Sequence, residues 1–279
     1  MKYLDFHQHY AFLHYRETTI EAGGDPDRLF EDIIIEKCKK LDMVVAVNGC
    51  AVYPDERNKV IILDKNDALE KFFKKYPDYI IGMAYVDLDY TEPTDIDDFY
   101  KRGFKGIKTI LPAERYDSRK YWEIYKRCEY FGMPILFHTG VVYQGGWKEK
   151  EGACSFNMSP FFLETIGVRI PDLKIVGAHL GAGLYEVACI IAWSSNEANK
   201  NIKFDISCAD PAVDYIIERK YIKSLVPVDS VLWGLDEPPN RYEYFIDKWT
   251  RHFDDIGLSR EEKDKIFYKN ACGVLGIEP

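Results

Sequence analysis

Four histidines and an aspartate in this 279-residue chain stand where hydrophobic runs end. His7 and His9 close Tyr3–His9. His138 follows Ile135-Leu136-Phe137, His179 follows Ile175-Val176-Gly177-Ala178, and Asp236 follows Val231-Leu232-Trp233-Gly234-Leu235. Alternate residues of a strand share a face, so His7 and His9 should project the same way, about 6–7 Å apart. Two neutral imidazoles converging like that make half of a tetrahedral zinc site. One His-x-His triplet is a common accident. Histidine and aspartate are costly to bury unless paired or ligated, however, and the same strand-end position recurs at His138, His179 and Asp236. That recurrence points to a metal site and away from unrelated core histidines.

The runs that must carry these residues are Tyr3–His9, Met43–Cys50, Tyr79–Leu88, Phe104–Ile110, Pro134–Gly140, Lys174–Gly181, Ile202–Cys208 and Val231–Asp236. They are short, near-continuous in hydrophobicity and mostly rich in Val, Ile, Phe or Tyr, as strands of a parallel sheet covered on both faces are. Between them, Asp27–Leu41 (with Leu29, Ile33, Ile34 and Leu41 on one stripe), Lys120–Phe131, Leu184–Ala198 and Leu258–Leu275 have helical spacing. Tyr76-Pro77-Asp78, Phe131-Gly132-Met133-Pro134 and Ile170-Pro171-Asp172 supply stops between helix and strand. Eight strands alternating with helices predict an α/β protein, a single (β/α)8 TIM barrel spanning residues 1–279 as one domain; an open doubly wound sheet is the rival. Tyr10–Gly24, Cys50–Lys65 and Val141–Ser159 are the longest stretches read as neither strand nor helix. All follow strands, so all would lie on the catalytic face of a barrel.

Composition narrows the function classes. A net charge of −9, with both signs mixed along the chain, gives no reason to expect nucleic acid or an anionic membrane as partner. No run approaches the ~20 apolar residues of a membrane span, and the N-terminal run is too short for a signal peptide. Seven scattered cysteines without a Cys-x-x-Cys pair argue against a disulfide framework or zinc knuckle, and a cytoplasmic location is expected. No phosphate-binding glycine motif opens a helix after a strand.

The chain resembles the amidohydrolase superfamily, in its amidohydrolase-related (amidohydrolase 2) branch of hydrolases and decarboxylases. The resemblance rests on Asp5-Phe6-His7-Gln8-His9, Gly103-Phe104-Lys105-Gly106-Ile107-Lys108, Pro134-Ile135-Leu136-Phe137-His138-Thr139-Gly140, Pro171 to Gly181, Asp236-Glu237-Pro238 and Lys269-Asn270-Ala271. It implies one divalent metal ion held by His7, His9, His138 and Asp236, with zinc the default and manganese the alternative. It also implies that His179 stands beside the metal-bound water as acid/base partner or as a direct ligand, with Asp236 the other proton acceptor. Two departures are visible. Lys108-Thr109-Ile110-Leu111-Pro112 lacks the histidine-proline pair common in the family after strand four, and Leu235 replaces a small polar residue.

Lesser candidates are read more plainly. Lys108 could bridge a second metal, but a strand-end lysine that forms an ion pair or orients a substrate carboxylate is the simpler reading. Gly181-Ala182-Gly183 most simply permits a tight turn. Glu237 could reach a substrate at the mouth. Tyr143, Gln144, Trp147, Cys154 and Asn157 lie on a stretch that reads equally as a lid or an ordinary loop; His14 and His252 read as peripheral. The expected activity is hydrolysis of a C–N or C–O bond (amide, lactone or cyclic ester) of a small molecule by metal-activated water. Non-oxidative decarboxylation of an aromatic or unsaturated acid is the alternative, and a silent barrel used for binding is a third reading. Homo-oligomerisation is left open.

Overall fold

The computed structural model describes residues 2–11, 25–54, 60–142 and 150–279. In chain order its strands are β1 (Tyr3–His9), β2 (Met43–Asn48), β3 (Cys50–Pro54), β4 (Val60–Asp64), β5 (Ile80–Tyr85), β6 (Gly106–Thr109), β7 (Ile135–Phe137), β8 (Ile175–Gly177), β9 (Ile202–Asp205) and β10 (Val231–Leu232). Eight of them form one parallel sheet in the order β1-β2-β5-β6-β7-β8-β9-β10, with helices between. This is the expected (β/α)8 barrel. β3 and β4 pair antiparallel, so the segment 50–65, read as neither strand nor helix, carries a hairpin directly after β2. His14 and the segment 143–149 lie outside the described residues.

The parallel ladder stops at β10, and three single bonds finish the closure. Phe6 N donates to Trp233 O (3.0 Å) and Asp236 N to His7 O (2.8 Å). Leu235 N donates to the Asp5 carboxylate at 2.9 Å. Gly234 makes that approach feasible, because a Cβ there would lie 2.8 Å from His7 Cβ.

β1 contains an irregularity that simple alternation does not anticipate. Asp5 lies opposite Val45 but Gln8 lies opposite Val47, so β1 takes three steps where β2 takes two. One extra residue in a strand bends it and breaks the two-residue period. Phe6 therefore packs in the barrel interior with Leu4, Met83, Leu136 and Leu232, while His7, the next residue, also points inward. Asp5 turns outward and accepts from Tyr242 Oη (2.6 Å) and from the freed His7 N (2.9 Å).

The lower interior is apolar and closed from below. Ala271, Cys272, Val274 and Leu275 of the terminal helix Asn270–Leu275 join the same cluster as Leu4, Phe6, Ala46, Leu136, Val176 and Leu232. The region expected as one helix over Leu258–Leu275 is Arg260–Asp264, a π-helical turn Lys265–Lys269, then Asn270–Leu275. In that turn Ile266 O accepts from Trp233 N at 3.1 Å, satisfying a strand group that the short β10 leaves outside its ladder. On the helix Pro26–Leu41 the buried stripe is Phe30, Ile34, Ile35 and Cys38, one position round from the expected one. All seven cysteines are free. Among the described residues no helix is long and apolar enough to cross a membrane.

Candidate metal centre

The upper ends of β1, β7, β8, β9 and β10 converge on one point. A donor atom from each of His7, His179 and Asp236 lies within 4.8 Å of the other two. His9 Nε2 stands 3.2 Å and His7 Nε2 3.9 Å from Asp236 Oδ1, and His179 Nε2 3.5 Å from Oδ2. His138 is carried by β7 with its ring centroid 4.9 Å from that of His179. All five residues named from the sequence are thus gathered in one layer.

What aims the rings is visible in their other nitrogens. His7 Nδ1 lies 3.0 Å from Asp205 Oδ2, and His179 Nδ1 lies 2.9 Å from Ser207 O. His9 Nδ1 contacts the Cys50 carbonyl oxygen. Each of these oxygens accepts a hydrogen bond from the Nδ1–H of its ring, so Nε2 carries the lone pair in all three imidazoles. The Nε2 of His138 is buried and makes no hydrogen bond. An orphaned buried nitrogen is rare and calls for a partner. Three oriented imidazoles, one unsatisfied imidazole and a carboxylate fit a divalent transition metal of zinc type.

The electrostatics agree with that donor chemistry. Burial first, then neighbouring positive groups including Lys108, lowers all four imidazoles from their usual 6.5, His9 to about 3 and His7 and His138 well below it. For His179 burial dominates and the nearby Asp205 opposes it, leaving the ring at about 4. Neutral imidazole is the form that binds metals. Burial pushes the Asp236 carboxyl well above its ordinary range, with Lys108 opposing. The fully buried Lys108 ammonium is disfavoured by desolvation, and its Nζ lies 3.1 Å from His7 Nε2.

Backbone strain is present at the site as it is at several other turns. His179 (φ 61°), Leu180 (φ 45°), Ala182 (φ 23°) and Asp236 (φ 47°) all have left-handed backbones. Such conformations in residues other than glycine persist only where the surroundings over-determine them. At His179 the turn places Ala178 and His179 both toward the interior, which alternation along β8 would forbid. Gly140 holds the neighbouring turn: a Cβ there would meet Ala182 O at 2.2 Å and Gly181 O at 2.4 Å. The loops after His138 and His179 can therefore lie against each other.

Asp205 and Ser207 were not among the expected site residues. The available signal was a weaker one: Asp205 interrupts the run Ile202–Cys208, at the point where β9 ends. Asn157 is a structural pin, with its amide donating to Pro112 O (3.1 Å), Ala113 O (3.1 Å) and Gly152 O (3.0 Å). Glu237 carries an ion pair to Arg241 at 3.2 Å. His252 sits among Trp249 and Phe253 on the helix Tyr242–Asp255, away from the cluster. Gly181-Ala182-Gly183 forms the turn expected of it, with positive φ throughout.

Comparison with known proteins fits this geometry. The model of the amidohydrolase family matches residues 63–277, and the chain belongs to that family of enzymes. Solved structures share the barrel over nearly its full length. A probable 2-pyrone-4,6-dicarboxylic acid hydrolase from Acinetobacter baumannii, with citric acid bound, aligns at TM-score 0.63 and 14% identity, covering 99% of this chain and 100% of that one. A 5-carboxyvanillate decarboxylase from Novosphingobium aromaticivorans, complexed with manganese and 4-hydroxy-3-methoxy-5-nitrobenzoic acid, aligns at 0.62 and 17% identity, covering 99% and 96%. A 4-oxalomesaconate hydratase from Rhodopseudomonas palustris aligns at 0.60 and 20% identity, covering 98% and 95%. No curated protein matches the chain in sequence at a significant level.

Proposed function

We propose that this protein is a metal-dependent hydrolase of a small molecule, cleaving an amide, lactone or cyclic ester with water activated at the barrel mouth. The observation that carries the reading is the convergence of one donor atom from each of His7, His179 and Asp236 within 4.8 Å, beside the orphaned Nε2 of His138. In this reading His7, His9, His138 and Asp236 hold one divalent ion within a single domain spanning residues 1–279. Zinc suits the imidazole-rich set; manganese, present in the decarboxylase neighbour, is the alternative. When bound, such an ion lowers the pKa of water toward neutrality and polarises a substrate carbonyl.

The chain's own groups supply the rest. His179 Nε2 carries a lone pair because its Nδ1 donates to Ser207 O, so it can accept a proton from the attacking water and return it to the leaving group. Asp236 is held at the same point on a strained backbone and can share that proton. Lys108, fully buried with Nζ 3.1 Å from His7 Nε2, holds an amine against the donor set.

The second reading keeps this site for decarboxylation of an aromatic or unsaturated acid, in line with the decarboxylase neighbours. A product assay on zinc- and manganese-loaded protein separates the two. Ring opening of lactones or cyclic amides supports hydrolysis; carbon dioxide release from resorcylate-type acids without hydrolysis overturns it. Purified protein that holds no transition metal, and takes up none when zinc is added, would sink both.

A further inference from the structure

Asp205 bonds to both His7 and His179, yet its carboxylate does not face the point of convergence. Its Oδ2 lies 3.0 Å from His7 Nδ1. Its Oδ1 accepts from His179 N (3.0 Å), Ser207 N (3.0 Å) and Ser207 Oγ (2.5 Å). With its hydrogen given to Asp205, Ser207 Oγ is left as an acceptor 3.0 Å from His7 Nδ1 and 3.1 Å from His179 Nδ1. Both Asp205 and Ser207 are buried. We infer that Asp205 is the positioning residue of this centre, one carboxylate that fixes the tautomer of His7 and pins the left-handed turn presenting His179.

Each oxygen has a separate task. A carboxylate can only accept here, so Oδ2 requires the His7 proton on Nδ1 and leaves the lone pair on Nε2, which faces Lys108 Nζ at 3.1 Å and is the atom a metal would take. Oδ1 takes three N–H or O–H groups, including the amide of a residue at φ 61°. That bond offsets part of the conformational cost of the turn. His7 and His179 stack at 4.9 Å between centroids, so displacing either disturbs the other. The inference rests on the metal-centre reading for its consequence, but the tautomer can be measured in metal-free protein.

Asp205→Asn is the discriminating change, because an amide has almost the same shape but one accepting oxygen. With that oxygen kept toward the three donors, its NH2 faces His7 Nδ1 and disfavours a proton there, with only Ser207 Oγ left to accept it at 3.0 Å, so His7 shifts toward the form protonated on Nε2. Nitrogen NMR of histidine-labelled, metal-free protein, assigned with His7→Asn and His179→Asn variants, should show His7 protonated on Nδ1 in wild type and on Nε2 in the variant. His179, whose Nδ1 donates to Ser207 O, should keep its Nδ1 proton in both. Zinc affinity, measured against a chromophoric chelator, should fall about 10- to 100-fold in the variant, with Ser207→Ala falling less. Wild-type His7 protonated on Nε2 overturns the proposal even if Asp205→Asn fails to fold. So does a folded Asp205→Asn with unchanged tautomer and unchanged zinc affinity. Wild-type protein that binds no zinc overturns the metal reading instead and leaves the tautomer result standing.

Discussion

Two layers stacked inside one barrel are built on opposite principles. The lower is filled by Leu4, Phe6, Met83, Leu136, Val176 and Leu232, and every group there needs only shape to be satisfied. The upper holds His7, His9, Lys108, His179 and Asp205, equally buried, yet polar and tied by specific bonds. Apolar packing is cheap to satisfy and tolerant of rearrangement. Buried polar groups need each partner in place, or they cost more than they return. The left-handed backbones of His179 and Asp236 are found in the upper layer, where local stability is given up for placement.

The sharpest way to break this contrast is Asp236→Ala. It should remove bound metal, read by elemental analysis, and lower turnover by at least ~10³-fold, the scale of losing a group that acts in proton transfer; retention of metal would show that Asp236 is no ligand. Compared metal-free with metal-free, the thermal midpoint should move little, because no apolar packing is lost there. Next, His179→Asn should keep most of the metal while turnover falls roughly 10²–10⁴-fold. If the metal departs as well, the ring is a ligand and its assigned role is wrong. In the lower layer Leu136→Ala should do the reverse, costing about 2–5 kcal/mol in denaturant unfolding while metal stoichiometry holds. Gly140→Ala should cost about 1–3 kcal/mol from the positive φ alone, with the clash against the Ala182 and Gly181 carbonyls adding to it, again by denaturant titration. A Gly140→Ala protein as stable as wild type would mean the two turns separate at little cost.

The sequence disclosed the layers more readily than the joints between them. Strand identity was legible because parallel strands covered on both faces read as continuous apolar runs, and β1 has the bounds expected of it. His7, His9, His138, His179 and Asp236 were legible because polar residues at the ends of such runs are conspicuous. Asp205 lies inside the run Ile202–Cys208 and not at its end, so it drew no notice. The bulge in β1 and the left-handed turn at His179 were not legible, because both depend on contacts distant in sequence: Asp5 with Leu235 and Tyr242, and Asp205 with the His179 amide. The hairpin β3–β4 was hidden for another reason. It follows β2 with a single residue, Gly49, between them, so the end of one strand and the start of the next merge into one run.

The terminal helix packed under the barrel has a consequence for traffic. A chamber plugged at its base by Ala271, Cys272, Val274 and Leu275 has no rear exit. Whatever enters at the mouth must leave by it, so product has to clear the doorway before the next molecule can arrive.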